Sequence, residues 1–293
     1  MLEELSKIYT LADEDYQKYK INAQAVVTGG KVPSDPPTAI IVGGQIGAGK
    51  SRLIPVAKRD LKNNVVTVDF DELRILHPNH REVRAKYPES VYQILLTDTE
   101  RLKDDLQEDI IKKRLNVVYE GALRNPTGFC NLARKFRESN YNVELYLMAV
   151  PQLESYVSTV LRYSLDLIDD ANPRWIEKCI HDQSFDGVIT TTKELLSQDL
   201  LTNVKVFKRG RGLDEPIEIY SSENRQFETP IHAIEYGRRT EKVGAIKRFP
   251  EKYETICQIL RSNRPELLEK IVDLKELYEA ETKAFTEGLM RGE

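Results

Sequence analysis

An α/β fold, with a P-loop NTPase-like parallel sheet flanked by helices and a helical C-terminal extension, is what this 293-residue sequence predicts. Three observations carry the prediction. The octet Gly44-Gln45-Ile46-Gly47-Ala48-Gly49-Lys50-Ser51 matches G-x-x-x-x-G-K-[ST], with an apolar run before it and a helical stretch after it. Around the octet, short apolar strands alternate with helices across 38–222, the rhythm of a parallel sheet covered on both faces. After Ser222 the character shifts, and 223–293 carries helical patterns with no convincing strand.

In chain order, 2–26 spaces Leu5, Ile8, Tyr9, Leu11, Tyr16 and Tyr19 near a helical period and predicts one helix. Gly29, Gly30, Pro33, Asp35, Pro36 and Pro37 then make a breaker-rich linker, so 1–37 reads as a leader to the sheet domain. The run Thr38-Ala39-Ile40-Ile41-Val42 is a buried strand, and 51–62 is the helix after the octet. Strand 65–69 leads to a long polar helix over 89–114, and strand 116–119 to a helix over 127–139. Strand 143–150 is followed by two helices, 152–169 and 174–201, and by short strands at 204–208 and 217–220. In the extension, Pro250 and Pro265 read as helix starts.

Composition narrows the function. A formal charge of −4 argues against general nucleic-acid binding, which wants a basic face. Cys130, Cys179 and Cys257 lie far apart, an odd and scattered set that suits a reducing cytoplasm. His77, His80, His181 and His232 form no H-E-x-x-H, so no zinc is expected. No apolar run approaches the roughly 20 residues that span a bilayer, and the acidic start Met1-Leu2-Glu3-Glu4-Leu5 is not a signal peptide.

The octet sets the chemistry at phosphate. Its glycines let backbone N–H groups wrap a nucleotide's phosphates, Lys50 reaches the β/γ-phosphates, and Ser51 offers a hydroxyl to Mg²⁺. Asp69-Phe70-Asp71 follows the second strand, at the carboxyl end where open parallel sheets place ligands. One aspartate suits a general base; the other suits Mg²⁺ or loop support, with a helix cap as the structural alternative. Glu120, ending the third strand before Gly121, suits the same crevice, with a solvated strand-end glutamate as the structural alternative. Arg162 and Arg174 flank a turn containing Asp169, Asp170, Asn172 and Pro173, and phosphoryl transfer needs such cations; solvent or an i,i+4 pair is the ordinary fate of a helix arginine. Asp104, mid-helix among Lys103, Asp105 and Glu108, reads as a surface charge. Adjacent helical residues do not face each other, so His181-Asp182 reads as a structural histidine rather than a dyad.

These stretches together resemble the zeta toxins of bacterial toxin–antitoxin systems, P-loop kinases that phosphorylate a uridine-diphosphate amino sugar. The matching residues are Gly44–Ser51, Val68-Asp69-Phe70-Asp71 with His77-Pro78, and Val118-Tyr119-Glu120-Gly121. Met148-Ala149-Val150-Pro151 with Ser155-Tyr156, Arg162-Tyr163, Arg174 and His181-Asp182 complete the set. The resemblance implies ATP and Mg²⁺ on Lys50 and Ser51, Asp71 as the base for the sugar 3′-hydroxyl, Asp104 toward the substrate, and Glu120 toward the sugar nucleotide or the metal. Arg162 and Arg174 become the arginines on the γ-phosphate. A small helical antitoxin is the partner the family implies.

Two departures fall on the acceptor side. Family members often read Glu-Gly-Thr where this chain has Glu120-Gly121-Ala122, and Asp104 is one methylene shorter than the usual Glu. The resemblance makes transfer to UDP-N-acetylglucosamine the leading expectation, and the departures keep NAD or another UDP-sugar as alternative acceptors. A P-loop regulatory ATPase, whose output is conformational, is the alternative from another class.

Overall fold

The computed structural model describes residues 2–169, 173–210, 215–224 and 226–291, less the side chains of Phe70, Asp71, Glu89 and 288–291. Six strands form one sheet in the order β2-β3-β1-β4-β5-β6: β1 (Thr38–Gly43), β2 (Val66–Val68), β3 (Val117–Gly121), β4 (Asn142–Met148), β5 (Asn203–Lys208) and β6 (Ile217–Ser221). β2 runs parallel to β3 and β4 parallel to β5, while β6 returns antiparallel on the edge. β1 is buried along its whole length, as its unbroken apolar run requires of a central strand. From β1 the chain goes first to β2 on one side and later to β4 on the other. The loop after β1 thus occupies the switch point where open α/β sheets bind ligands.

The chain forms two compact units. The first comprises Met1–Ile41, Ile54–Glu120 and Lys135–Val143. Its N-terminal segment is two helices, α1 (Leu2–Tyr9) and α2 (Asp13–Thr28), where periodicity had suggested one. The break has a cause far away in sequence: Asp98 Oδ2 accepts the Leu11 N–H at 2.9 Å. The same oxygen receives His77 Nε2 at 3.2 Å, and His77 Nδ1 accepts from Asn79 N at 3.1 Å. After α3 (Leu53–Asp60) and β2, the predicted long helix is likewise divided. The chain makes α4 (Phe70–Ile75), α5 (His80–Lys86), a 3-10 turn Pro88–Ser90, α6 (Val91–Ile94) and α7 (Leu96–Lys112).

The second unit comprises Val42–Leu53, Gly121–Arg134 and Glu144–Glu293. It holds α9 (Gln152–Ile168), α10 (Lys178–Ser197), α11 (Pro230–Thr240), α12 (Lys242–Asn263) and α13 (Val272–Arg291); α8 (Pro126–Glu138) begins in it. Tyr156, Val160 and Tyr163 of α9 share a core with Phe249, Ile256 and Leu260 of α12 and with Ile271 and Leu274 beyond it. Pro250 lies inside α12 and does not start it. Phe249 stacks on Tyr253 at 5.2 Å and on Tyr278 at 4.3 Å, and that buried packing carries the helix through a residue that removes one backbone hydrogen bond. Pro265 does open a helical turn, the 3-10 segment Pro265–Ile271. Among the described residues no helix is long and apolar enough to cross a membrane.

In the first unit Asn116, 8% exposed, pins the linker to the sheet. Its Oδ1 accepts the Thr38 N–H at 2.8 Å, and its Nδ2 donates to Ser34 Oγ at 2.8 Å and Asn64 O at 3.0 Å. Asn116→Leu is expected to strand the buried Thr38 N–H and lower stability by on the order of 3 kcal/mol, read as a shift in the urea unfolding midpoint.

Candidate active site

β1 hands the chain to the octet, whose path is set by backbone turns. Gly47 sits at φ +76°, where a Cβ would stand 2.0 Å from Ser155 O and 2.3 Å from Thr159 Oγ1. Both the left-handed turn and the backbone neighbour demand glycine. Gly49 turns at φ +85° directly before Lys50. Ala48 N donates to Gln45 O at 3.1 Å, and Lys50 Nζ donates to the same carbonyl at 3.2 Å. The ammonium thus rests on the loop's own backbone, an acceptor that a phosphate oxygen outcompetes. Ser51, exposed, follows in the 3-10 turn Lys50–Arg52 that runs into α3.

A buried relay holds the loop from behind. Gln45 Nε2 donates to Val150 O at 2.6 Å and to Ser155 Oγ at 3.2 Å. Ser155 Oγ lies 2.9 Å from His181 Nε2, and His181 Nδ1 lies 3.2 Å from Asp182 Oδ1. Ser155 Oγ also donates to Gln152 O at 3.0 Å and to Pro151 O at 3.2 Å, so the direction of its bond with Nε2 follows the histidine tautomer. Ser184 Oγ accepts the Ile46 N–H at 3.0 Å and donates to His181 O at 2.6 Å. His181 and Asp182 were expected not to meet, and they do. The carboxylate is drawn back to the ring by Lys178 and by Gln152 Nε2 at 2.8 Å. His181 and Ser155 are fully buried, so the pair supports the loop and cannot reach a substrate. Burial lowers the His181 pKa below its ordinary 6.5, against the raising effect of Asp182.

The outer side of the loop meets Arg209, just past β5. Its Nη2 donates to Gly47 O and its Nε to Ala48 O at 3.2 Å. Its Nη1 donates to Glu154 Oε1 at 2.6 Å, and Glu154 is 3% exposed. Neither residue was singled out from sequence. The basic stretch Lys208-Arg209-Gly210-Arg211 at a strand's carboxyl end was the available signal for Arg209, whereas nothing local marks Glu154.

The predicted arginines occupy the same unit. Arg162 is 84% exposed on α9 and pairs one turn away with Asp166 at 3.8 Å. Arg174 is exposed beside Trp175, whose ring stands edge-on to Tyr163 at 5.1 Å. In the first unit, Asp69 follows β2 directly and its carbonyl accepts the Leu73 N–H at 3.0 Å, the position that opens α4. Asp71 lies in the first turn of α4, and its side chain is outside what the structure describes. Glu120 is half-buried in β3, and Asp104 is exposed on α7. Buried Tyr119 of β3 has its hydroxyl raised in pKa by burial first, then by Tyr141 and Asp104.

The family model for zeta toxin matches residues 24–224. A toxin zeta of Enterococcus hirae is 29% identical over 202 residues, covering 69% of this chain and 68% of that protein. Among solved structures, a chain of the PezAT chromosomal toxin–antitoxin system of Streptococcus pneumoniae superposes with a TM-score of 0.70 at 22% identity, covering 84% of this chain and 99% of that one. A chain of the AvrRxo1-ORF1:AvrRxo1-ORF2 complex with ATP follows at TM-score 0.50 and 15% identity, covering 85% of this chain and 84% of that one.

Two outcomes follow from the loop's supports. Gly47→Ala forces a Cβ against Ser155 O and is expected to weaken nucleotide binding by at least ~10-fold, measured by calorimetry with ATP. A histidine held below 6.5 binds fewer protons folded than unfolded, so its stability contribution is full above that value and falls as pH drops below it. Urea titrations at neutral and mildly acidic pH are expected to show that loss, and His181→Gln to flatten it.

Proposed function

The chain belongs to the zeta toxin family, and from that premise we propose that it transfers the ATP γ-phosphate to a hydroxyl of a UDP-amino sugar, with the 3′-hydroxyl of UDP-N-acetylglucosamine as leading acceptor. The observation that carries the reading is the octet at the carboxyl end of β1. It pairs left-handed glycine turns with a lysine resting on a displaceable carbonyl. The glycine cradle and Lys50 fit a triphosphate, and the exposed Ser51 hydroxyl fits Mg²⁺, with Asp69 as a second support. When bound, the metal supplies charge that neutralises the phosphate oxygens.

In this reading the acceptor oxygen attacks the γ-phosphorus, the bond to the β,γ-bridging oxygen breaks, and ADP leaves. Asp71 takes the hydroxyl proton. Arg162 and Arg174 turn from solvent onto the γ-phosphate as negative charge spreads there. Asp104 and Glu120 hold the sugar nucleotide. A small helical antitoxin restrains the enzyme in the cytoplasm; the structural relative from the PezAT system, itself a toxin–antitoxin pair, supports that partner, and the AvrRxo1 neighbour solved with ATP supports the nucleotide. Asp104 and Ala122 keep NAD or another UDP-sugar as alternative acceptors, and a regulatory ATPase as the alternative without one.

Incubation with ATP-Mg²⁺ and a panel of sugar nucleotides and NAD, read by mass spectrometry for an added phosphate, tests the acceptor. ADP formed with no phosphorylated product would favour the switch. Lys50→Ala is expected to remove transfer by several orders of magnitude. Asp71→Asn should cost about 10²–10⁴ in turnover with ATP binding kept, while Asp69→Asn should weaken metal binding or folding instead. Arg162→Ala and Arg174→Ala should each lower kcat more than they raise the ATP KM, on the order of 10²-fold, with arginine to lysine rescuing poorly. Steady-state kinetics decide it, and wild-type kcat in both variants would return them to solvated helix charges.

A further inference from the structure

Glu154 is the most heavily paired buried carboxylate in its surroundings. Besides Arg209, its Oε1 receives Lys252 Nζ at 2.6 Å, and its Oε2 receives Arg248 Nη2 at 3.2 Å and Nε at 3.4 Å. Three cations therefore face one buried charge. Arg248 and Lys252 both belong to α12, outside the residues 24–224 that the family model matches. Ser158 Oγ, one turn beyond Glu154 on α9, takes weaker bonds from Arg209 at 3.3 Å and Lys252 at 3.4 Å.

Arg209 spends its remaining donors on the loop, and peptide geometry gives that grip a direction. A planar trans peptide points its C=O and the next N–H to opposite sides. With Gly47 O and Ala48 O both drawn to Arg209, the N–H groups of Ala48 and Gly49 are turned the other way. The Ala48 N–H closes on Gln45 O, and the Gly49 N–H is left as a donor of the kind such loops offer to phosphate. Without the guanidinium, two carbonyls would lose their partner and those peptides could rotate.

We propose that Arg209, fixed by Glu154, is a positioning residue that pre-shapes the phosphate loop, and that Arg248 and Lys252 of the C-terminal extension belong to the same device, so that α12 sets the affinity for the nucleoside triphosphate. The two α12 cations orient the Glu154 carboxylate and leave the cluster with a surplus of positive charge beside the loop, which favours a polyanion in it. Burial lowers the Arg209 and Lys252 pKa values, Glu154 opposes it in each case, and Arg248 adds a smaller lowering effect to both. The inference rests on the nucleotide site of the proposed kinase and not on its acceptor.

Calorimetric binding of ATP to the full-length protein, with no acceptor present, separates the two. Wild type that binds no ATP would overturn the nucleotide reading and this inference with it. Given wild-type binding, Arg209→Met is expected to weaken it by ~100-fold, and Arg209→Lys to restore little, because an ammonium cannot span two carbonyls and a carboxylate. The double variant R248M/K252M is expected to bind ~10-fold more weakly at low salt, with the gap narrowing at high salt as the surplus charge is screened. In turnover it should raise the ATP KM more than it lowers kcat. Folded Arg209→Met or R248M/K252M protein, checked by its thermal transition, that binds ATP as wild type does at low salt would overturn the proposal. A lowered transition with unchanged affinity would also overturn it, since the cluster would then serve only the fold.

Discussion

The octet turns through Gly44, Gly47 and Gly49, each at positive φ, and glycines bring no side chains to hold such a path. Its shape must come from neighbours that capture backbone groups. Gln45 is tied inward through Ser155 to the buried His181, Ser184 takes the Ile46 N–H, and Arg209 takes two carbonyls from outside. Each captured group is polar and buried or nearly so, where leaving it unpaired costs more than pairing it gains. α9, α10 and the end of β5 are thereby committed to one arrangement around the loop.

Elsewhere the molecule uses the same economy of buried polar groups. In the first unit Asp98 gathers Leu11 N and His77, and Asn116 gathers Ser34, Thr38 and Asn64. These residues join segments distant in sequence where apolar packing alone would allow sliding. The C-terminal helices differ in kind. They hold α9 through a broad aromatic and aliphatic core, to which Arg248 and Lys252 of α12 add ion pairs with the buried Glu154.

The strands and the octet were readable because their signals are local: an apolar run, a glycine pattern, a lysine at fixed spacing. What escaped was non-local. The break after α1 depends on a carboxylate at Asp98, and the passage of α12 through Pro250 depends on stacking against Tyr278. The site divides along the same line. Lys50 and Ser51 could be placed from their neighbours in sequence, whereas Glu154 looks like any helix glutamate until Arg209, Arg248 and Lys252 converge on it. His181 and Asp182 misled in the opposite way, because helical geometry kept them apart on paper and a lysine and a glutamine from two helices brought them together.

The nearest neighbour of Gly47 is the carbonyl of Ser155, main chain rather than side chain. A side chain can rotate away from an approaching ligand, but a helix backbone cannot without shifting the whole helix. On that side the cradle is mechanically stiff. In the proposed kinase, compliance would then reside in parts that face solvent, among them exposed Arg162 and the segment bearing Arg174. The rates of nucleotide capture and release in that reading would report the excursions of those arginines, with the cradle as the fixed reference against which they move.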